Sequence, residues 1–284
     1  MGAEVSTTTT MPLDQPKQRG RLRRGAWLYR RCLGAHLRST LEYRADFWIM
    51  AATAVVTQGI GVVFLWAIFR SIPAINGWHF WDVVLIYGLV TIAESVSQLF
   101  AQGTWNLATV VNTGELDPLL IRPMSPVLQV LGSQVGVAGV GNLALGIGLL
   151  VGGVAHVEVR WSPGLVAVCL VLLVSASLIK VGLNLLTSCT AFWLRTMWPM
   201  FPFSMHTLGE LARFPLSIYS VGVRIVLTAV LPFAFVSFFP ATFVLGTDGS
   251  WWVGLLTPLV AAYCLGLGVL VFRRGLRRYE SAGH

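Results

Sequence analysis

The sequence predicts an all-α membrane protein with six transmembrane helices and an N-terminal helix in the cytoplasmic interface. Three observations predict this class. Pro123 to Val157 is a run of 35 residues without Asp, Glu, Lys or Arg. Hydrophobic residues make up 55% of the 284 residues and charged residues 11%, with a mean hydropathy of +0.72. Further uncharged stretches follow, each long enough to cross a bilayer with about 20 residues. Lipid is therefore the main solvent of this chain.

Six spans are expected along the chain. The first is Phe47 to Phe69, bounded by Asp46 and Arg70. The fifth contains Pro232 and has Arg224 near its start. Spans two to six are, in order, Asp82 to about Gly103, Val127 to about Ala155, about Gly164 to Phe192, about Val221 to Phe239, and Trp251 to Phe272.

The basic residues set the orientation, because Lys and Arg accumulate on the cytoplasmic side. Of 20 such residues, nine precede the first span and four follow the last. Both termini are therefore expected inside, which requires an even number of crossings. The connections at 104–126 and 193–220 then face in, and those at 70–81, 156–163 and 240–250 face out.

Four regions are expected. Residues 1–22 are polar and form a disordered cytoplasmic tail. Residues 23–46 form an amphipathic helix in the interface, with Trp27, Arg30 and Arg31 as anchors toward lipid headgroups. Residues 47–273 form the six-helix transmembrane domain, with a loop at 104–126, and residues 274–284 form a cytoplasmic tail. Arg224 is expected to reach headgroups from the inner end of the fifth span.

The sequence lacks the motifs that several classes of protein function require. The only lysines are Lys17 and Lys180, and neither stands in a phosphate-binding loop, so the chain has no ATP site of that kind. The five histidines and four cysteines show no metal-ligand spacing and no nucleophile motif. The net charge of +8 comes from residues that flank spans, which argues against nucleic-acid binding. No metal, cofactor or catalytic residue is expected on this chain.

The cytoplasmic loop between spans two and three carries the sharpest local pattern. Gly114 breaks the preceding helix, and two prolines, Pro123 and Pro126, stiffen the entrance to the third span. Between them lies one short apolar face beside charged side chains. This predicts a rigid amphipathic knob that docks on a soluble partner, or else a plain interfacial turn. The face consists of Leu116, Leu119 and Leu120, and the charges are Glu115, Asp117 and Arg122.

Two charges lie inside spans, where each costs about 2.5–3.5 kcal/mol at a helix centre. Glu94 lies near the middle of span two and Lys180 just past the middle of span four. They form a buried pair or line a polar path, and the sequence leaves both open. Gln58 and Gln98 are further path candidates, although such polar residues beside many glycines more often indicate close helix packing.

Three segments resemble one family. GELDPLLIRPMSP (114–126), FPLSIY (214–219) followed by LPFAFVSFFPA (231–241), and GLRRYESAG (275–283) are similar to the type-2 ABC export permeases, and specifically to a bacterial subgroup of about six spans. The resemblance extends from about residue 25 to the end. It implies the transmembrane-domain architecture of a type-2 ABC exporter.

The resemblance also implies the partners. Two permease subunits pair, as a homodimer or a heterodimer, and two copies of a separate ABC ATPase use ATP and Mg. The loop at 104–126 would be the element that couples the permease to the ATPase. The protein would lie in a bacterial inner membrane with both termini in the cytoplasm, and it would bind no nucleic acid. The ATPase contacts would be Glu115, Leu116, Asp117, Leu119, Leu120, Arg122 and Pro123.

Two other functions stay open. A secondary transporter driven by an ion gradient would carry an internal inverted repeat, and none is visible. A membrane-embedded enzyme would gather His, Asp or Arg at one membrane face, and the outward loops offer few. The sequence leaves unspecified the substrate, the direction of transport beyond the resemblance, and the composition of the permease pair.

Overall fold

The computed structural model describes residues 21–122, 124–159, 161–194, 198–246 and 251–280, and these are helical with no β-strand. The expected tail at 1–22 therefore lies almost entirely outside the described residues. The α-helices are α1 (Arg21–Glu42), α2 (Arg44–Ser71), α3 (Phe80–Ala101), α4 (Leu107–Asn112), α5 (Asp117–Leu120), α6 (Pro126–Leu131), α7 (Ala138–His156), α8 (Pro163–Ser188), α9 (Met200–Gly209), α10 (Val221–Ile225), α11 (Phe238–Leu245) and α12 (Thr257–Leu276).

Five helical segments of the described chain are long and apolar enough to cross a membrane. A sixth candidate is a bent pair, Val221–Val230 and Phe233–Leu245, whose halves meet at 76°. The five continuous segments are Arg44–Ser71, Phe80–Asn112, Ala138–His156, Pro163–Phe192 and Trp252–Leu276. They match predicted spans one, two, three, four and six.

Helix α3 is the centre of the molecule. It packs along α7 on one side and α8 on the other, while α12 packs on α8 and α2 on α7. Glycines make the closest approaches possible. A Cβ on Gly141 of α7 would overlap the Ala51 carbonyl of α2, and one on Gly153 would lie 3.1 Å from the Leu85 Cβ. The expectation that glycines bring helices together holds at these positions, as small residues allow in membranes.

Helices α2 and α3 are joined by a tight turn. Asn76 and Gly77 both have positive φ, of 49° and 86°, which is the geometry of a type I′ turn. The flanking Ile75 and Trp78 exchange backbone hydrogen bonds of 3.0 Å. The next helix then begins at a reciprocal cap, in which the His79 amide donates to the Asp82 carboxylate at 3.0 Å.

Two predicted spans differ in the structure. The third was expected from Val127, but the chain forms the short α6, leaves the helical path over 132–137, and begins α7 only at Ala138. The fifth, expected as one helix from Val221 to Phe239, is interrupted at Leu231–Pro232, because proline has no amide hydrogen and blocks the preceding turn.

The connection at 193–220 contains structure that the sequence analysis did not anticipate. It includes α9, a 3₁₀ turn at Glu210–Arg213 and another at Leu216–Ile218. Helix α9 packs on α8, and the first 3₁₀ turn packs on α3. This segment brings three ionisable side chains against the middle of the helical core.

Candidate functional site

A buried ion pair lies in the middle of the helical core. Glu94 is near the midpoint of Phe80–Asn112, and Lys180 lies just beyond the midpoint of Pro163–Phe192. The Lys180 Nζ and the Glu94 Oε2 are in direct contact, and the two residues are only 3% and 2% exposed. The sequence left open whether Glu94 and Lys180 pair or line a polar path, and in the single chain they pair.

Helix α9 adds a third member to this pair. The Nδ1 of His206 lies 3.2 Å from the Glu94 Oε1, so the carboxylate has a partner on each oxygen. The Trp105 ring packs edge-on against the imidazole, with centroids 5.6 Å apart. On the other side, the Lys180 Nζ lies 5.3 Å from the centre of the Phe233 ring. Aromatic faces of this kind stabilise a desolvated ammonium.

A second ion pair continues the cluster. The Arg213 guanidinium contacts the Glu210 Oε2 at 2.5 Å and donates to the Tyr87 hydroxyl at 3.0 Å. The Nε2 of His206 faces the Glu210 Oε1 at 4.0 Å, which links the two pairs. We call Glu94, Lys180, His206, Glu210 and Arg213 the charge cluster. Sequence reasoning found only its first two members.

The two glutamine path candidates take separate positions. At Gln58, the backbone carbonyl accepts from the Tyr87 hydroxyl at 3.3 Å, so α2 meets α3 beside the charge cluster. The Gln98 Oε1 accepts from the Asn142 amide at 3.1 Å, and its carbonyl accepts from the Gly136 amide at 3.0 Å. Gln98 thus joins α3 to α7 and the segment before it.

The predicted knob is present and is tied down at its base. Gly114 has φ 77°, a left-handed conformation that ends the preceding helix, and the Leu116 side chain is fully buried. The Gln129 amide donates to the Leu119 carbonyl at 2.8 Å and to the Met124 carbonyl at 3.0 Å. Leu116 packs in a cluster with Leu107, Val127, Val130, Leu185, Cys189 and Phe272.

Burial divides the expected ATPase-contact residues. Leu116 is fully buried beneath the knob, so its side chain has no exposed surface that an ATPase could contact. Leu119 is half-buried. Leu120 is 41% exposed, and Ile121, which the sequence analysis did not single out, is 86% exposed. Asp117 is half-buried. Glu115 and Arg122 are exposed, while Pro123 lies outside the described residues.

The C-terminal end of α12 contacts the knob. Tyr279 packs against the cluster that holds Leu116, and it lies beside Asp117 of α5. Burial, with the neighbouring Asp117 carboxylate, raises the pKa of the Tyr279 phenol above its ordinary value. Arg273, Arg274, Arg277 and Arg278 are exposed at this end.

Helix α1 lies at the same end of the molecule. The Tyr29 hydroxyl donates to the Phe100 carbonyl near the end of α3. Trp27 is 52% exposed, with the Arg31 guanidinium 4.2 Å from its ring centre, and Arg30 is exposed as well. The three expected anchors therefore point away from the protein.

Arg224 takes a different position from the one expected. Its guanidinium donates to the Tyr219 and Ser217 carbonyls, both at 2.9 Å. The Ser217 carbonyl also accepts from Asn76 in the α2–α3 turn at 3.0 Å. Arg224 is thus at the end of the molecule opposite the knob, beside the α2–α3 turn.

Long apolar helices, with a buried charge cluster and an anchored knob at one end, define the class of a multi-pass membrane protein. Among the described residues no group of three His, Cys, Asp or Glu side chains could hold a metal ion. The particular family follows from the comparison with family models. Residues 55–283 match the ABC-2 family transporter proteins, and the chain belongs to that family. Nothing matches it among curated proteins or among solved structures.

Proposed function

We propose that this chain is the permease subunit of an ATP-driven exporter, worked by a separate ABC ATPase that docks on the exposed face of the knob. The observation that carries the proposal is the exposure of Leu120 and Ile121 on a turn whose base is locked into the core. Two neighbouring apolar side chains on a rigid support suit insertion into a groove on a partner. The chain itself is a non-catalytic gate, and ATP and Mg belong to the partner.

The knob is positioned to pass motion into the membrane helices. Leu116 belongs to the same buried cluster as Leu185, near the end of α8, and Phe272, near the end of α12. Lys180 of the charge cluster lies five residues from Leu185 on the same helix. Displacement of the knob would therefore reach Lys180 of the charge cluster through α8. The charge cluster would be the bistable contact that switching requires.

The orientation follows from charge. The exposed arginines of α1 and of the α12 end lie at the knob end, whereas the opposite end holds Arg70 and Arg224. By the positive-inside rule the knob and both termini face the cytoplasm of a bacterial inner membrane.

The fifth crossing is the segment 200–218. Its His206 reaches the mid-depth Glu94, and its Ser217 reaches Asn76 at the outer end. The bent pair then enters from the outside, brings Phe233 to the depth of Lys180, and returns. Six crossings result, with both termini on one side.

A second permease subunit completes the path. His206 and Glu210 are 31% and 38% exposed at mid-depth, and charged groups are costly against lipid there. The exposed edge of the charge cluster therefore faces an enclosed path between two permeases, identical or different, surrounded by membrane lipids.

The test is one substitution at each end of the molecule. Ile121→Asp places a carboxylate in the proposed contact, and the matched control Ile72→Asp makes the same change at a 50% exposed residue of the opposite end. Loss of an interface hot spot costs about 2 kcal/mol or more, so ATPase affinity should fall about thirtyfold in the first variant only. Equal co-purification of the ATPase with both variants and the wild type would refute the docking site.

A further inference from the structure

A cleft lies between α2 and α3 at the end of the molecule opposite the knob. Its volume is about 580 Å³, within the range of about 300–1,000 Å³ that is usual for ligand sites. Val63 is 62% exposed and Trp66 is 50% exposed, so the cleft opens to the lipid beside α2. We call it the outer cleft, and it is lined by Val62, Val63, Trp66, Phe80 and Trp81.

Ring contacts hold the α3 wall of the outer cleft in place. Trp81 stacks on the His156 imidazole of α7, with ring centroids 3.8 Å apart and ring planes 7° from parallel. The His156 Nδ1 donates to the Gly152 carbonyl at 2.8 Å, which fixes the imidazole. Phe80 packs edge-on against Trp81 and against Phe69 of α2. The wall is therefore preformed, which reduces the entropic cost of binding a ligand.

The outer cleft reaches from the membrane boundary into the hydrocarbon. Its mouth is at the boundary, because α2 ends at Ser71 and α3 begins at Phe80. Val62 is nine residues before Ser71, which is about 14 Å along the helix. A cavity of about 150 Å³ is large enough for benzene, so a cleft of about 580 Å³ has room for much of one acyl chain.

A cation lies at the mouth of the outer cleft. The Arg70 guanidinium is 5.3 Å from the centre of the Trp66 ring, which lines the cleft. Arg70 is exposed and forms no ion pair within the described part of the chain. The Asp82 carboxylate in the first turn of α3 accepts from the His79 amide at 3.0 Å. The Arg70 N–H groups are therefore donors for an anion, and phosphate oxygens match the guanidinium geometry.

We propose that the outer cleft binds a membrane phospholipid, with one acyl chain between α2 and α3 and the phosphate on Arg70. The outer half of α2 has little protein around it, since Leu65 is its only buried residue. The lipid would supply the packing that this half of the helix lacks. Placing the lipid in the outer leaflet rests on the proposed orientation, but binding to the cleft does not.

A photoreactive lipid locates the site. The probe is phosphatidylglycerol with a diazirine on one acyl chain, added to the full chain in dodecyl maltoside micelles. Illumination and peptide mapping by mass spectrometry should give adducts on the cleft residues that saturate as the probe fraction rises. Absence of saturable labelling at the cleft overturns the proposal.

Competition at these adducts tests the role of the phosphate. Unlabelled dioleoyl phosphatidylglycerol should displace the probe at an at least about tenfold lower mole fraction than dioleoylglycerol, which has the same chains and no phosphate. The reason is that only the phospholipid makes a charge-assisted hydrogen bond to the guanidinium. Equal displacement by the two lipids overturns the assignment of the phosphate to Arg70.

Variants separate the phosphate contact from the chain contact. Arg70→Gln should remove the preference for the phospholipid over dioleoylglycerol. Val63→Trp fills the cleft and should reduce labelling there at least about tenfold. Val56→Trp is the matched control, because Val56 is 63% exposed on the same helix, seven residues earlier and outside the cleft, and it should label like the wild type. Full labelling of folded Val63→Trp, or a retained preference in Arg70→Gln, overturns the proposal.

Cover by a second copy of the chain would give a different result. The cleft should be labelled in lipid nanodiscs as well as in micelles. Labelling in micelles with none in nanodiscs would mean that protein covers the cleft in the assembled permease, and this overturns the proposal. Ile121→Asp should lose the ATPase and keep the labelling, so the docking site and the lipid site fail separately.

Discussion

Replacing Glu94 with glutamine tests how the charge cluster stabilises the protein. The substitution keeps the shape and leaves the Lys180 ammonium 3% exposed, with the Phe233 ring 5.3 Å away but no carboxylate beside it. Removing one partner of a buried pair costs about 3–5 kcal/mol, because the remaining charge is uncompensated. Lys180→Met should cost less, about 1.5–3 kcal/mol, since Glu94 keeps His206 as a partner at 3.2 Å.

The double variant gives the decisive comparison. Glu94→Gln with Lys180→Met leaves no unpaired charge, so its free energy of unfolding should exceed that of Glu94→Gln alone. The coupling between the two sites should be about 0.5–3 kcal/mol. The measurement is equilibrium unfolding by SDS in mixed micelles for the wild type, both single variants and the double variant.

A matched control separates loss of charge from loss of any polar group in a span. Gln58 meets Tyr87 through its backbone carbonyl, so Gln58→Leu retains that hydrogen bond and should change stability little. If Glu94→Gln is no more destabilising than Gln58→Leu, or if the double variant is the sum of the single ones, the account of the cluster as a stabilising ion pair is incorrect.

Three further outcomes are expected. Gly141→Ala should destabilise by about 1–3 kcal/mol because the added Cβ overlaps the α2 backbone, whereas Gly148→Ala, which meets open space on the same helix, should not lower the melting temperature. Leu116→Ala should cost about 2–5 kcal/mol in SDS unfolding, since that side chain is fully buried, and a near-zero cost would contradict its place in the core. The raised pKa of Tyr279 means that the free energy of unfolding falls as pH rises above the ordinary phenol pKa. Asp117→Asn should lower the Tyr279 pKa. The pKa is measured from the phenolate absorbance during a pH titration, after subtraction of a Tyr279→Phe control.

Much of the architecture could be predicted from charge and length. The first span was expected from Phe47 to Phe69 and is Arg44–Ser71, because charged residues at both ends mark the membrane boundary. The second was expected to end near Gly103, but the helical path continues to Asn112. The pairing of Glu94 with Lys180 was one of two readings, since depth along two spans is visible in sequence and the distance between helices is not.

The segment at 193–220 shows why other features could not be predicted. It was expected to be a connection between spans, yet it packs on the core, and its Glu210 and Arg213, three residues apart, neutralise each other. That spacing, together with the apolar residues around it, is the signal that could have found them. The break at 132–137 had no such marker, because the surrounding run contains no charge.

Transport in proteoliposomes distinguishes an ATP-driven permease from a transporter driven by an ion gradient. Vesicles containing the chain with its co-purified ATPase should move a labelled substrate that does not cross protein-free vesicles when given ATP. Vesicles containing the chain alone should not move it in response to a proton or sodium gradient. Accumulation driven by an ion gradient in the absence of the ATPase would contradict the account, and the chain would then be a secondary transporter.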